Sequence, residues 1–184
     1  MYQALLSRIA GELTRSHIPY TIIGGQAALL YGEPRLTKAI DISLGVGVDE
    51  LEKVKRVASG LRLKPLVDSV EGFVKKTMVL PVQDPASGIR VDFMLSFSPY
   101  EQEAIERAKP IAFGDTVVRF AALEDVVIQK VIGGRPRDLE DVHGILLKNP
   151  EYDGAYITKW LRKFDTAMDE TFSDTFHALL DDLQ

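Results

Sequence analysis

Ile22-Ile23-Gly24-Gly25-Gln26-Ala27-Ala28, followed a little later by Arg35-Leu36-Thr37-Lys38-Ala39-Ile40-Asp41-Ile42, is the stretch that decides the architecture of this chain. The short apolar run Tyr20 to Ile23 reads as a buried strand, ended by the glycine pair. Residues 26–31 read as a short helix closed by Gly32 and Pro34. A strand that ends in two glycines and turns into a helix exposes backbone N–H groups with no Cβ in the way. Helix dipole and free donors together suit a phosphate. The bland alternative is a tight turn without a ligand.

Working outward, residues 2–16 place Ala4, Leu5, Leu6, Ile9, Ala10 and Leu13 on one helical face. Ala39 to Leu44 reads as a second strand, Asp49 to Ser59 as a charged helix, and residues 63–67 as a short strand. Gly72 to Val82 and Ile89 to Ser96, rich in alternating and β-branched residues, predict two paired strands joined by the turn Gln83-Asp84-Pro85-Ala86-Ser87-Gly88. Pro99 to Ala108 reads as a helix and Thr116 to Phe120 as a strand. From Leu123 on the pattern is helical, over 123–132, 137–148, 155–164 and 169–183. Strands confined to the first two-thirds predict an α+β core over residues 1–121, a mixed sheet flanked by helices, with a C-terminal helical region over 122–184 packed on it.

Hydrophobic residues make up 46% of the 184, enough for a sizeable core. The uncharged run Tyr20 to Gly32 is too short for the roughly 20 apolar residues of a membrane span, and the first helix carries Arg8 and Glu12 where a signal peptide would be apolar. A cytoplasmic protein without a membrane partner is expected. With no cysteine, disulfide scaffolds, thiolate metal sites and cysteine nucleophiles are excluded. The net charge of −5 is uneven: every Lys and Arg lies at or before Lys163, and six acids follow Phe164. The main body is therefore near neutral and does not repel a phosphate-bearing partner. Phe172, Phe176, Leu179, Leu180 and Leu183 in the acidic end predict an amphipathic helix packed on the body; an acidic partner-binding tail is the alternative.

Asp41 sits mid-strand between Ile40 and Ile42, and Asp92 between Val91 and Phe93. A carboxylate inside an apolar strand is costly unless paired, hydrogen-bonded or bound to metal. Two such strands side by side bring both acids within reach of one divalent cation, and an oxygen-only donor set points to Mg²⁺ or Mn²⁺.

The glycine pair, the 13-residue spacer to position 39, the hydrophobic-flanked place of a carboxylate pair at 39 and 41, and the later strand with a further acid resemble the polymerase-β-type nucleotidyltransferase superfamily. Gly24-Gly25-x-Ala27 and Gly32-x-Pro34-Arg35-x-Thr37-Lys38-x-Ile40-Asp41-Ile42 are similar to the abortive-infection and toxin-type members. So are Leu123-Glu124-Asp125-Val126-Val127-Ile128-Gln129-Lys130 and Arg135-Pro136-Arg137-Asp138-Leu139-Glu140-Asp141. The resemblance implies a nucleotidyltransferase that moves a nucleoside monophosphate from a nucleoside triphosphate to a hydroxyl of RNA (tRNA among the candidates) or protein, with a cognate toxin or antitoxin partner. It implies that Asp41 and Asp92 hold two divalent ions, that Gly24 and Gly25 cradle phosphates, and that Arg35, Thr37, Lys38, Lys130, Arg135, Asp138 and Asp141 contribute to nucleotide binding. For Lys130 the alternative is a solvated helix face, for Arg135 a surface salt bridge, and for Asp138 and Asp141 a helix-capping role. One position departs from the pattern: Ala39 stands where an acid is expected, two residues before Asp41 on the same strand face. A natural loss of a metal ligand and an introduced Asp-to-Ala change both account for it, and either leaves a chain that binds metal poorly and turns over little. A nucleotidyltransferase-like module that binds nucleotide or a protein partner without catalysis, as a regulator or antitoxin, is the other reading.

Other candidates weaken on inspection. His17, His143 and His177 lack ligand spacing, Ser43 and Ser96 lack a His–Asp constellation, and Gly45-Val46-Gly47 lacks the third glycine of a dinucleotide fingerprint.

Overall fold

A computed structural model describes residues 1–184. Its seven strands form one mixed sheet: β1 (Tyr20–Ile23), β2 (Ala39–Leu44), β3 (Lys64–Pro65), β4 (Val79–Gln83), β5 (Arg90–Met94), β6 (Lys109–Phe113) and β7 (Thr116–Phe120), in the order β3-β4-β5-β2-β1-β7-β6. Two compact units divide the chain. The first comprises Met1–Gln26 and Leu36–Ala121, the second Ala27–Arg35 and Ala122–Gln184.

In the first unit, β1 and β2 run antiparallel, and β2 lies parallel to β5. Ile22, Ile40, Ile42, Leu44, Val91 and Phe93 are almost wholly buried, so the interior strands carry the apolar runs that the sequence predicts. Helix α1 (Tyr2–Arg15) buries Leu5, Leu6, Ile9, Ala10 and Leu13 along one stripe and packs on β7. Helix α2 (Gly24–Ala28) starts directly at the glycine pair. Helix α3 (Leu51–Gly60) follows a 3-10 turn over Val48–Glu50, and α5 (Pro99–Glu106) opens with a capping box between Ser98 and Glu101.

Two elements differ from expectation. The strand predicted over 72–82 is a helix at its start, α4 (Val70–Thr77), and a strand only from Val79. Val70 and Val74 lie four apart and are the buried pair, which suits one helical face. Met78, at φ 60°, then turns the chain sharply into β4. The other is β6, which the sequence reading lacks. It is an edge strand containing Pro110, partnered only by β7 and largely exposed, so it shows no alternation to read. The turn expected at residues 83–88 does join β4 to β5 as an antiparallel hairpin, fastened by the Ser87 hydroxyl donating to Asp84 (2.6 Å).

The second unit is built on α6 (Leu123–Gly133), α7 (Pro136–Lys148), α8 (Gly154–Met168) and α9 (Phe172–Asp182). Val127, Ile128, Val142, Ile145, Ile157, Leu161 and Phe176 form its core. The acidic end is the amphipathic helix α9, which packs on α8 and α6 through Phe176. Asp165 accepts the backbone N–H groups of Phe172 and Ser173 at the start of α9, so one of the six acids serves the fold. No helix is long and apolar enough to cross a membrane.

Candidate functional site

Strand register assembles the acidic pair. Asp41 on β2 is the direct partner of Asp92 on β5, and Ala39 is the partner of Arg90 one pleat away. Side chains two apart on a strand share a face, so Ala39, Asp41, Arg90 and Asp92 all project from one side of the sheet. Ile23, the last residue of β1, pairs with Asp41 from the other flank, which brings the glycine turn to the same sheet end.

The glycines are there for space. Gly24 has φ +65°, the left-handed region, and a Cβ on it would overlap the Oδ2 atom of Asp41. A Cβ on Gly25 would overlap the Thr37 methyl. The Gln26 amide donates to the Thr37 hydroxyl and the Tyr2 hydroxyl donates to the Thr37 carbonyl, so Thr37 fastens this turn through its acceptors. Lys38 is exposed, without an ion pair. Replacing Gly24 by Ala is expected to destabilise the chain by about 2 kcal/mol, the upper end of the left-handed penalty, because Asp41 must also move. A urea melt measures this, and an unchanged midpoint would show that the close approach is not needed.

Burial and, second, the charge of Asp92 push the Asp41 carboxyl above its ordinary 3.8; the Arg90 charge opposes them. A folded-state carboxyl pKa above the unfolded one means the native chain holds the proton longer. Ionised Asp41 therefore opposes folding, by an amount absent below pH 3.8 and complete once pH exceeds the raised value. Asp41→Asn is accordingly expected to raise the melting temperature at pH 7 and to lose that advantage as pH is lowered to 3. A gain of equal size at both pH values would refute it.

Arg90, which the sequence reading leaves out, stands beside the acidic pair. Its Nε donates to both carboxylate oxygens of Asp92, at 2.9 and 3.1 Å. The available signal was the Arg90-x-Asp92 spacing, which puts both side chains on one strand face. The residues present do not fit the two divalent ions that the resemblance implies. Ala39 supplies no ligand, a cation already engages both oxygens of Asp92, and no group of three or more His, Asp or Glu side chains able to hold a metal ion occurs.

In the second unit the remaining candidates form a chain of ion pairs. Lys130 lies 2.8 Å from Asp141 and 3.7 Å from Asp138, with its side chain 13% exposed. Arg35 bonds Asp141 at 2.8 Å, and Arg135 bonds Asp138 at 2.8 Å. Arg135 thus pairs with a carboxylate, and Asp138 also accepts the Arg135 backbone N–H at the start of α7. Burial alone would raise the Asp138 carboxyl, but the Arg135 hydrogen bonds and charge, with the Lys130 charge behind them, hold it below the ordinary value. Arg137 is exposed. Tyr156 and Trp160 are buried in the core of this unit, and the Lys159 and Lys163 ammonium groups lie over the Trp160 ring.

No family model and no curated protein matches this sequence. Solved structures do. The solution structure of the antibiotic-resistance factor ANT(2'')-Ia matches with a TM-score of 0.62 at 13% identity, covering 96% of this chain and 97% of that one. The chain has the nucleotidyltransferase fold. ANT(2'')-Ia in complex with adenylyl-2''-tobramycin matches at 0.60 and 14%, covering 92% of this chain and 99% of that one. An antigenic nucleotidyltransferase-like protein from Paracoccidioides brasiliensis matches at 0.57 and 15%, covering 96% and 91%. At these identities the likeness describes the nucleotidyltransferase fold and not its substrates.

Proposed function

We propose that this chain binds a nucleoside triphosphate at the Gly24-Gly25 turn and derives from nucleotidyltransferases of the abortive-infection or toxin type. These transfer a nucleoside monophosphate to a hydroxyl of RNA, with tRNA among the candidates, or of protein. The observation that carries the reading is the Asp41–Asp92 pair, in register on adjacent parallel strands, with the left-handed Gly24 backbone against the Asp41 carboxylate. Asp41 and Asp92 are the residues that would engage a divalent cation, Mg²⁺ or Mn²⁺, in a transferring relative. In this chain Ala39 disables that role, so nucleotide binding outlasts turnover. Thr37 and Lys38, and in the second unit Arg35, Lys130, Arg135, Asp138 and Asp141, are proposed nucleotide contacts on the resemblance alone. A cytoplasmic location and a cognate toxin or antitoxin partner rest on the same resemblance.

The second reading, a non-catalytic binding module acting as regulator or antitoxin, is favoured by two features together: Ala39 in the place of an acid, and Arg90 on Asp92. Radiolabelled nucleoside triphosphates offered to the Ala39→Asp chain, with total RNA and total protein as acceptors, separate the readings. Label in either acceptor supports transfer ancestry. A folded, nucleotide-binding variant that labels neither leaves the binding module.

A further inference from the structure

Arg90 is the one cation on the sheet face of the acidic pair that bonds to it. It begins β5, on the sheet face that carries Asp41 and Asp92, and its Nε bridges both oxygens of Asp92. That bond uses one of the five guanidinium donors. The two terminal NH₂ groups have no protein acceptor, and the side chain is half exposed. Its direct partners across the sheet, Ala39 on β2 and Gln83 on β4, carry no charge; the Asp41 carboxylate, one pleat further along β2, is near enough to feel the Arg90 charge but accepts no hydrogen bond from it. The Gln83 amide is itself occupied, donating to the Gly88 carbonyl at 3.0 Å. An acid at position 39 would lie directly opposite Arg90 and take its free donors. With Ala there, a planar fork of N–H groups is fastened at its Nε edge by Asp92 and has its outer donors open, which suits bidentate recognition of a phosphate.

We propose that Arg90 is a phosphate-binding residue of this chain, that Asp92 serves as its anchor and not as a metal ligand, and that the site takes a polyphosphate free of divalent ions. The inference rests on the nucleotide reading above and changes what the site needs: the positive charge comes from the chain itself. It also gives Ala39 a purpose, since the small side chain leaves the guanidinium unclaimed.

The test measures binding of ATP, GTP, CTP, UTP and inorganic tripolyphosphate by calorimetry, once in EDTA and once with Mg²⁺, on chains whose melting curves show them folded. The unaltered chain is expected to bind tripolyphosphate and at least one nucleotide in EDTA, with affinity changed less than about threefold by Mg²⁺. Arg90→Gln should weaken binding in EDTA at least about tenfold, the range of a hydrogen bond to a charged group. Arg90→Lys, which keeps the charge but not the fork, should fall between. Asp92→Asn is the sharper probe. It removes a negative charge, so simple electrostatics predicts tighter anion binding; loss of the anchor predicts weaker binding. Weakening supports the proposal, and tightening overturns it. It is also overturned by undiminished binding in Arg90→Gln, by binding that appears only with Mg²⁺, or by no binding of either probe. Tripolyphosphate bound while every nucleotide is refused would leave Arg90 in this role and remove the nucleotide reading instead.

Discussion

Replacing Ala39 with Asp is expected to raise Mg²⁺-dependent nucleotide transfer by about 100-fold or more while leaving the fold almost unchanged. Position 39 shares its strand face with Asp41, and Asp41 is in register with Asp92, so the new carboxylate completes a three-acid group on one sheet face. Charge stabilisation by metal ions at a transferring phosphoryl group is worth several kcal/mol, and each 1.4 kcal/mol is tenfold in rate. The side chain at 39 is only partly covered, so water can solvate the added charge. The same substitution places an acid opposite Arg90 and should weaken metal-free polyphosphate binding, so the two activities are expected to move in opposite directions. The measurement is label transfer to RNA and protein with Mg²⁺ and again with chelator. A gain that persists in chelator would show that the third acid acts by some means other than metal binding.

Lys130→Ala is expected to lower stability by about 3 kcal/mol, the lower end of the cost of breaking a buried ion pair, because Arg35 and Arg135 still hold the outer sides of the two acids. Lys130 lies between Asp138 and Asp141, whose side chains are 7% and 15% exposed. Without it two carboxylates three residues apart face each other with little water. Urea denaturation gives the loss directly, and a nucleotide titration on the same variant separates the two roles. A stable variant with weakened nucleotide binding assigns Lys130 to the ligand, as the resemblance has it. A destabilised variant whose folded fraction binds normally assigns it to the helical unit.

Much of the fold was legible because its signals are local. The buried stripe of α1, the apolar runs of β1 and β2, the turn at residues 83–88 and the helix over Pro99 to Ala108 each sit within about fifteen residues. Strand periodicity alone placed Asp41 and Asp92 among apolar flanks and marked them as anomalous. The failures lie where local signals conflict or vanish. Gly72 to Thr77 runs without a break into the β-branched stretch from Val79 and reads together with it as one strand, yet burying Val70 and Val74 together requires a helix. β6 is an edge strand, so neither of its faces is buried well enough to impose a pattern.

By itself, then, the sequence determined which residues had to be inside, where the glycine pair ends the first strand, and that two carboxylates stood where burial makes them costly. Tertiary structure alone decided who faces whom. The parallel register of β2 with β5, a pairing across some fifty residues, puts Asp41 against Asp92 and Ala39 against Arg90. It likewise set Lys130 between Asp138 and Asp141, two helices folded onto one another through α6 and α7. A cation at a strand start reads as a solvated surface residue until register supplies its neighbours. Partner choice depends on which strands come to lie side by side, and no local propensity encodes that.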